Sequence, residues 1–309
     1  MSENPAGSIG FAGQSSTARR SSEELAASPT LRRRRLAREL LRLREEAGLT
    51  AKQAASEAKS RAPERSWFEA KVTRIETRKI KHVRDTDLLT LLDIYGVTDP
   101  EQRDAYRKLA REASKSGWWV GYRDILGAGT YIDLETEASR IRTYQVQYMP
   151  GLLQTEAYAR AMIRAGGVVE EEEIERRVEV RMMRQHILVR PDAPRLWAII
   201  DETAFRKLPR DVAAEQIRHL VDVQRPSLRV QVLPDEVGPH AAMDGSFVIL
   251  DFPSDPAAVY LEQVGGTSLL MEDSEQITVY ETVLDHVQAS ALSVEASRAW
   301  MLDRLSQLE

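Results

Sequence analysis

A short segment in the first third of the chain carries side chains whose chemistry suits contact with a polyanion. Cationic and hydroxyl groups lie there, opposite the apolar positions of a predicted helix or directly after it: Lys71, Thr73, Arg74, Arg78 and Lys79. Ammonium, guanidinium and hydroxyl groups donate hydrogen bonds to phosphate oxygens and to base edges. Residues 19–84 contain 19 basic and 9 acidic side chains, an excess that favours sequence-independent attraction to a nucleic acid.

The charge is distributed unevenly along the chain. Residues 1–116 contain 24 basic and 17 acidic side chains, whereas the remaining residues contain 19 and 31. This asymmetry indicates that only the front part meets a polyanion. The plainer interpretation is an arginine-rich helical bundle with a solvated face, and the net excess over residues 19–84 argues against it.

Two further helices must position this segment. The first is predicted over Leu31–Ala47, because Leu36, Leu40 and Leu43 recur on one face, and Gly48 stops it. The second opens at Thr50, since Gln53 lies three residues later in the capping-box arrangement. Small side chains form its buried face: Ala54, Ala55 and Ala58.

The segment itself is predicted to be a third helix that opens at Ser66, with Glu69 in the capping-box position. Its apolar residues are spaced to face a core: Phe68, Val72 and Ile75. A fourth helix is predicted from about Asp85 to Tyr95, and a fifth runs from Asp99-Pro100 to about Ser116.

Leu49-Thr50, the alanine-rich second helix and the run from Lys71 to Glu76 resemble the XRE family of helix-turn-helix regulators over about 65 residues. The run Leu91 to Val97 is similar to the closing helix of that family. The resemblance implies that the helix from about Ser66 to Thr77 enters the major groove of double-stranded DNA. It also implies a structural role for Glu76. The side chains expected to contact DNA are Arg32, Arg33, Arg35, Thr50, Lys52, Gln53, Arg65, Lys71, Thr73, Arg74, Arg78 and Lys79.

The chain departs from the family between the second and third helices. Lys59 to Arg65 stands as an insertion where the family has a tight turn. It could lengthen the turn, extend the second helix or place a basic loop over the DNA backbone. Trp67 and Phe68 also stand where smaller polar groups are common.

The composition changes at Gly117, where an aromatic cluster begins that either packs or lines a pocket: Trp118, Trp119, Tyr122 and Tyr131. A helix is predicted over Glu135 to Thr143, and another over Asp211 to Gln224. Short runs rich in branched and aromatic residues predict strands at Leu196–Ile200, Leu228–Leu233, Phe247–Phe252 and Val259–Leu261. Two helices, Ser274–Gln288 and Ser293–Leu308, follow these strands.

The expected fold class is a mainly α N-terminal helix-turn-helix bundle plus a larger α+β C-terminal domain with a small sheet. The expected division is a disordered tail at 1–29, a helix-turn-helix domain with a linker helix at 30–116, and an α+β domain at 117–309. The tail could instead act as a flexible arm on DNA. The absence of cysteine excludes disulfides and cysteine-ligated zinc, and fits a cytoplasmic protein.

The C-terminal part carries three sequence blocks: Tyr148–Arg160, Val230–Pro234 and Tyr260–Glu262. They are similar to the uncharacterised C-terminal domain of many actinobacterial XRE-type regulators, including WhiJ-like and Scr1-type proteins. That resemblance covers about Gly117 to Leu308. It implies transcriptional control, in some members within toxin–antitoxin-like pairs, and a small partner protein encoded next door.

No residue pattern predicts catalysis, a cofactor or a metal. The histidines are too far apart to form a helical metal pair: His82, His186, His219, His240 and His286. Asp201-Glu202 is interpreted as a turn or helix cap, and the loop with His240 and Asp244 as an ordinary loop.

Two hypotheses follow. In the first, the chain is a DNA-binding transcriptional regulator that is a homodimer without a membrane segment. Its C-terminal domain dimerises or senses a partner protein or ligand. In the second, it is an antitoxin-like interaction module that binds a small protein and autoregulates through DNA.

Overall fold

The computed structural model describes residues 29–77, 79–80, 82–115, 118–126, 129–262 and 268–308. Residues 1–28 of the predicted tail lie outside the described residues, and so does Arg78, one of the expected DNA contacts. The chain divides after Gly121 into two compact units, each of which is described by itself. We call them the N-terminal unit and the C-terminal unit.

The described part of the N-terminal unit is built of α-helices joined by short turns. Their bounds are α1 Pro29–Glu46, α2 Ala51–Arg61, α3 Glu69–Glu76, α4 Asp85–Ile94 and α5 Pro100–Ala113. Leucines from α1 and α4 are fully buried at its centre, together with the small residues of α2: Leu40, Leu88, Leu91, Leu92, Ala54 and Ala58. The short alanine side chains let α2 cross its neighbours closely.

Local signals place the turns of this unit as expected. Gly48 follows α1 with a φ of 69°, a left-handed conformation that side chains disfavour. Thr50 and Gln53 complete a reciprocal capping box at the start of α2, with Thr50 Oγ1 accepting from the Gln53 amide at 3.2 Å. Asp99 caps α5 by accepting from the amides of Glu101 and Gln102.

The predicted start of the third helix is wrong. The helix begins at Glu69 rather than at Ser66, and its N-cap is Phe68, which makes no side-chain cap hydrogen bond. Trp67 is buried in the core whereas Phe68 is half exposed, so the placement of Phe68 in the core is wrong as well. Phe68 has extended backbone dihedrals, and neighbouring side chains on extended backbone point to opposite sides. The larger ring occupies the core.

The insertion between the second and third helices is divided between two structures. Lys59 to Arg61 form the last turn of α2, and residues 62–68 make the connection to α3. The insertion therefore both extends the helix and lengthens the turn.

The C-terminal unit combines helices with one mixed sheet. The chain passes from one unit to the other within a 3₁₀ segment at Trp118–Tyr122. The described helices of the C-terminal unit are α6 Arg123–Leu126, α7 Thr130–Glu137, α8 Glu156–Ala165, α9 Glu171–Gln185, α10 Glu202–Arg206, α11 Arg210–Asp222, α12 Ser274–Ser290 and α13 Val294–Ser306. Short 3₁₀ segments lie at Gly151–Leu153, His186–Leu188 and Asp235–Val237. The strands are β1 Arg140–Gln145, β2 Arg195–Asp201, β3 Leu228–Leu233, β4 Phe247–Asp251, β5 Ala258–Glu262 and β6 Ser268–Met271.

The described strands form a six-stranded sheet in the order β3-β2-β1-β4-β5-β6. β1, β2 and β3 are parallel, with helical crossovers between them, and β4 to β6 are antiparallel. Residues from both halves share a core: Tyr144, Ile199, Ile249, Val259, Leu284 and Val287. This unit is the α+β fold expected, and the four predicted strands are all present.

The prediction of a helix over Glu135–Thr143 is wrong beyond Glu137. Arg140–Gln145 is instead the central strand β1, which pairs with β2 on one side and β4 on the other. Its alternation of charged and apolar residues is weak locally, so the two flanking strands decide its conformation. The strand β6 was likewise not predicted from the sequence.

Candidate nucleic-acid interface

α3 is fixed at its C-terminal end by a buried ion pair. Arg44 Nε of α1 lies 2.8 Å from Glu76 Oε1, and the two side chains are only 12% and 5% exposed. Arg44 Nη1 also donates to the Leu49 carbonyl at 2.6 Å, and the Tyr95 hydroxyl donates to Glu76 Oε1 at 3.4 Å. The carboxylate raises the pKa of Arg44, so the guanidinium stays charged. One carboxylate therefore joins α1, α3 and the end of α4, in agreement with the structural role expected of Glu76.

The other end of α3 is held by Asp87 of α4. Its carboxylate receives Lys71 Nζ at 3.0 Å and Arg65 Nη1 at 3.1 Å. The Lys71 ammonium also lies 4.0 Å from the centre of the Trp67 ring, in a cation–π contact. Lys71 was expected on the outer face of the helix. The Lys71 side chain instead points inward, to Asp87 and to the Trp67 ring, and these contacts help to orient α3.

The outer face of α3 is open. Its exposed residues form a stripe at helical spacing: Glu69, Ala70, Thr73, Arg74 and Thr77. Together with Phe68 and Lys79 they line a wide concavity of about 570 Å³. An α-helix with its side chains is about 10–12 Å in diameter, which fits the major groove of B-DNA, about 12 Å wide.

Arg74 is the cation that this face presents most directly. It is exposed in the last turn of α3, and no described acidic side chain pairs with it. Lys79 is likewise exposed directly after the helix. Cationic groups held on a fixed helix without an internal partner retain their charge and donors for phosphate or guanine.

The start of α2 adds a second group of predicted contacts. Thr50, Lys52 and Gln53 are all exposed. The side chains of Thr50 and Gln53 form hydrogen bonds with each other and with the backbone of the first turn, so in this structure they cap α2. Lys52 projects from the same turn without a described partner.

The α1 arginines are less open than expected. Arg32 Nε lies 3.0 Å from Glu112 Oε2 of α5, and Arg33 Nη2 donates to Thr30 Oγ1 at 2.9 Å. Arg35 is partly buried, and Arg34 is buried. Packing of α1 against α5 accounts for this, because one flank of an arginine-rich helix must face its neighbour. Their contact with DNA remains a prediction.

The sequence interpretation missed four residues of the open face: Phe68, Glu69, Ala70 and Thr77. Ala70 and Thr77 could have been found by continuing the helical stripe one turn each way from Thr73 and Arg74. The exposure of Phe68 could be predicted only once Trp67 was known to be buried.

Buried polar groups of the C-terminal unit lie mainly in structural hydrogen bonds. Tyr144 donates to Asp201 Oδ2 at 3.0 Å, and His240 Nε2 lies 3.3 Å from the same hydroxyl. Asp201 Oδ1 accepts from the Thr203 amide at 2.9 Å and so caps α10, as interpreted from the sequence. Among the described residues no group of three or more histidine or acidic side chains could hold a metal ion.

A second polar cluster joins α7 and α9. Arg184 pairs with Glu135 at 3.0 Å, and the Tyr131 hydroxyl donates to Glu135 at 2.7 Å. The Tyr131 ring stacks on Tyr260 with centres 4.0 Å apart. Of the predicted aromatic cluster, Tyr131 therefore packs within the C-terminal unit.

Comparison with known families agrees with both halves of this description. A family model described as a helix-turn-helix domain matches residues 35–105. The chain is therefore a DNA-binding regulator of the helix-turn-helix class. A second model, described as a domain of unknown function (DUF5753), matches residues 128–303, more than half of the chain. The chain belongs to that family. No curated protein and no solved structure matches it. In the described parts of the chain, no helix is both long and apolar enough to cross a membrane.

Proposed function

We propose that the chain is an XRE-type transcriptional regulator of the actinobacterial, WhiJ-like kind, and that it reads an operator with the outer face of α3. The observation that carries this proposal is the contrast between the two faces of α3. Lys71 and Glu76 are bound into ion pairs with α4 and α1, whereas Arg74 is exposed without a described acidic partner. A helix that is anchored on one side and open on the other is preorganised for a groove.

Arg74→Ala tests this assignment against a matched control, Lys108→Ala. Lys108 is an exposed cation on α5, away from α3. A bidentate arginine–guanine contact contributes about 1–3 kcal/mol of discrimination, or roughly 5- to 150-fold in affinity. We expect Arg74→Ala to lose that factor on the promoter fragment of its own gene, with little change on random DNA. Equal affinity of the folded variant and the parent would overturn the role of Arg74.

The C-terminal unit is proposed to make the regulator a homodimer, because two short reading helices need two half-sites to reach useful specificity. The two edges of its sheet differ. At β3, Val232 N–H donates to Ser297 Oγ at 2.9 Å, and its carbonyl accepts from the Leu292 amide at 2.9 Å. No described strand or helix segment pairs in this way with the outer edge of β6. The sequence of β6 is Ser-Leu-Leu-Met, and Leu269 is exposed.

A second copy of the chain is the occupant that suits this edge. Two β6 strands related by a two-fold axis would pair antiparallel, and a register centred on Leu269 would set that residue against Leu269 of the other copy. The strand carries no charge, so self-pairing meets no repulsion. Leu269→Lys should convert the dimer to monomer in analytical ultracentrifugation, whereas Val189→Lys, at another exposed apolar residue, should not. A dimer that survives Leu269→Lys would place the interface elsewhere.

A second candidate function is an antitoxin-like module whose C-terminal unit binds a small protein. The excess of acidic side chains after residue 116 favours a basic partner. Co-expression with any small protein encoded beside its gene separates the two. If the purified complex no longer binds the promoter fragment, and free chain does, the partner controls DNA binding. We further propose that the chain is not an enzyme, because the buried polar clusters of the C-terminal unit are engaged in caps and ion pairs.

A further inference from the structure

Phe68 is a large apolar side chain left in water on the face that reads DNA. It is 50% exposed, although its neighbour Trp67 is buried in the core. Its ring lies at the start of α3 and lines the same concavity as Ala70, Thr73 and Arg74. An exposed ring that lies beside other apolar groups in one concavity is a candidate ligand contact.

The two threonines of this face can contact a ligand through their methyl groups, but their hydroxyl donors are already used. Thr73 Oγ1 donates to the Glu69 carbonyl at 3.1 Å, and Thr77 Oγ1 donates to the Thr73 carbonyl at 2.7 Å. Both hydroxyl hydrogens are thus used within the helix. What the two side chains retain for a ligand is a methyl group and oxygen lone pairs.

The concavity therefore combines an apolar part with a few charged groups. Phe68, Ala70 and the threonine methyl groups supply the apolar part. Arg74 and Lys79 are the described cations that line it, and Glu69 is the described anion. In the major groove the apolar feature of a base pair is the 5-methyl group of thymine, which alanine, threonine methyl and phenylalanine side chains contact.

We infer that Phe68, with Ala70 and the threonine methyl groups, contacts a thymine methyl in the major groove. The operator half-site then contains a thymine close to the base pair that Arg74 contacts. This inference rests on the proposed function and adds the kind of base that α3 selects.

The position of the ring is set by the core rather than by DNA. Trp67 is held inside by packing and by the ammonium of Lys71 at 4.0 Å. Phe68 follows in extended backbone, so its ring must point outward. The side chain takes no part in capping α3 and is half exposed, so we expect its removal to leave the fold intact.

The test begins with selection of binding sites from a pool of random DNA duplexes by the full chain. Each thymine of the selected half-site is then replaced in turn by deoxyuridine, which lacks only the 5-methyl group. Affinities are measured for the parent, Phe68→Ala, Phe68→Leu and the control Tyr148→Ala. Tyr148 is an aromatic residue of equal exposure, 50%, in the C-terminal unit.

At one thymine we expect the parent and Tyr148→Ala to lose about fourfold in affinity on removal of the methyl group. Phe68→Ala should show no such loss there, and Phe68→Leu should retain part of it. Equal losses in the parent and Phe68→Ala at every thymine, or no loss at any, would overturn the inference while leaving a sequence-specific regulator. A selection that enriches no sequence would overturn the proposed function and this inference together.

Discussion

Removal of the Glu76 carboxylate should release α3 from the rest of the N-terminal unit. In Glu76→Ala, Arg44 loses the acceptor at 2.8 Å and Tyr95 loses the acceptor at 3.4 Å. The Arg44 side chain is 12% exposed and so remains buried as an unpaired charge. Breaking a buried ion pair on one side costs about 3–5 kcal/mol. We expect the N-terminal unit to lose free energy of unfolding of that size.

The control is Glu46→Ala, which removes an acidic partner on the same helix as Arg44. Glu46 pairs with Arg42 one turn away at 2.6 Å, but its side chain is 58% exposed. Solvent screening limits such a pair to about 0.3–0.5 kcal/mol. The two variants therefore remove the same chemical group and differ in burial.

Hydrogen exchange followed by mass spectrometry measures this difference within the N-terminal unit alone. Peptides from α1 and α4 report its opening, whatever the stability of the C-terminal unit. A loss of 3 kcal/mol corresponds to exchange that is faster by at least about a hundredfold, since each 1.4 kcal/mol is tenfold. Equal exchange in Glu76→Ala and Glu46→Ala would refute the reasoning that the buried pair holds α3.

Three further predictions concern single groups. Asp87→Ala leaves the cations of Lys71 and Arg65 without their shared partner, and we expect a loss of about 1–3 kcal/mol in urea unfolding of the N-terminal unit. Gly96→Ala meets no atom within 4 Å but retains a φ of 76°, so the backbone alone should cost about 1 kcal/mol, measurable as a lower melting temperature. Burial lowers the pKa of His219 from its ordinary value of 6.5, so the unfolded chain takes up a proton first as the pH falls. Urea unfolding of the C-terminal unit should therefore show lower stability at a pH of about 5 than at about 7.5, and His219→Gln should reduce that difference.

Much of the N-terminal unit was predictable because its signals are local. The capping box of Thr50 and Gln53, the left-handed Gly48 and the Asp99-Pro100 start each depend on residues within one turn. The burial of the alanines of α2 followed from helical spacing in the same way. Arg74 on the outer face was also predictable, since it lies opposite Val72 and Ile75.

The candidate site was predictable only in part, because its composition depends on distant partners. Lys71 and Arg74 are three residues apart and looked equivalent in the sequence. Asp87, sixteen positions after Lys71, binds the first and leaves the second exposed. No periodicity reports such a partner, since the pairing arises only when folding brings the first turn of α4 beside α3.

The sequence by itself determined the class of protein, the helices with their caps, and the α+β nature of the C-terminal unit. Hydrophobic periodicity and capping depend on residues that are close together in the chain, so both can be recognised in a single sequence. Only the tertiary structure decided that Arg140–Gln145 is a strand, that Trp67 is buried while Phe68 is exposed, and which cations remain for DNA. Each of these outcomes is a competition among residues far apart in the chain. Such competitions are settled by pairing and burial in the folded state, which exceed the local preference.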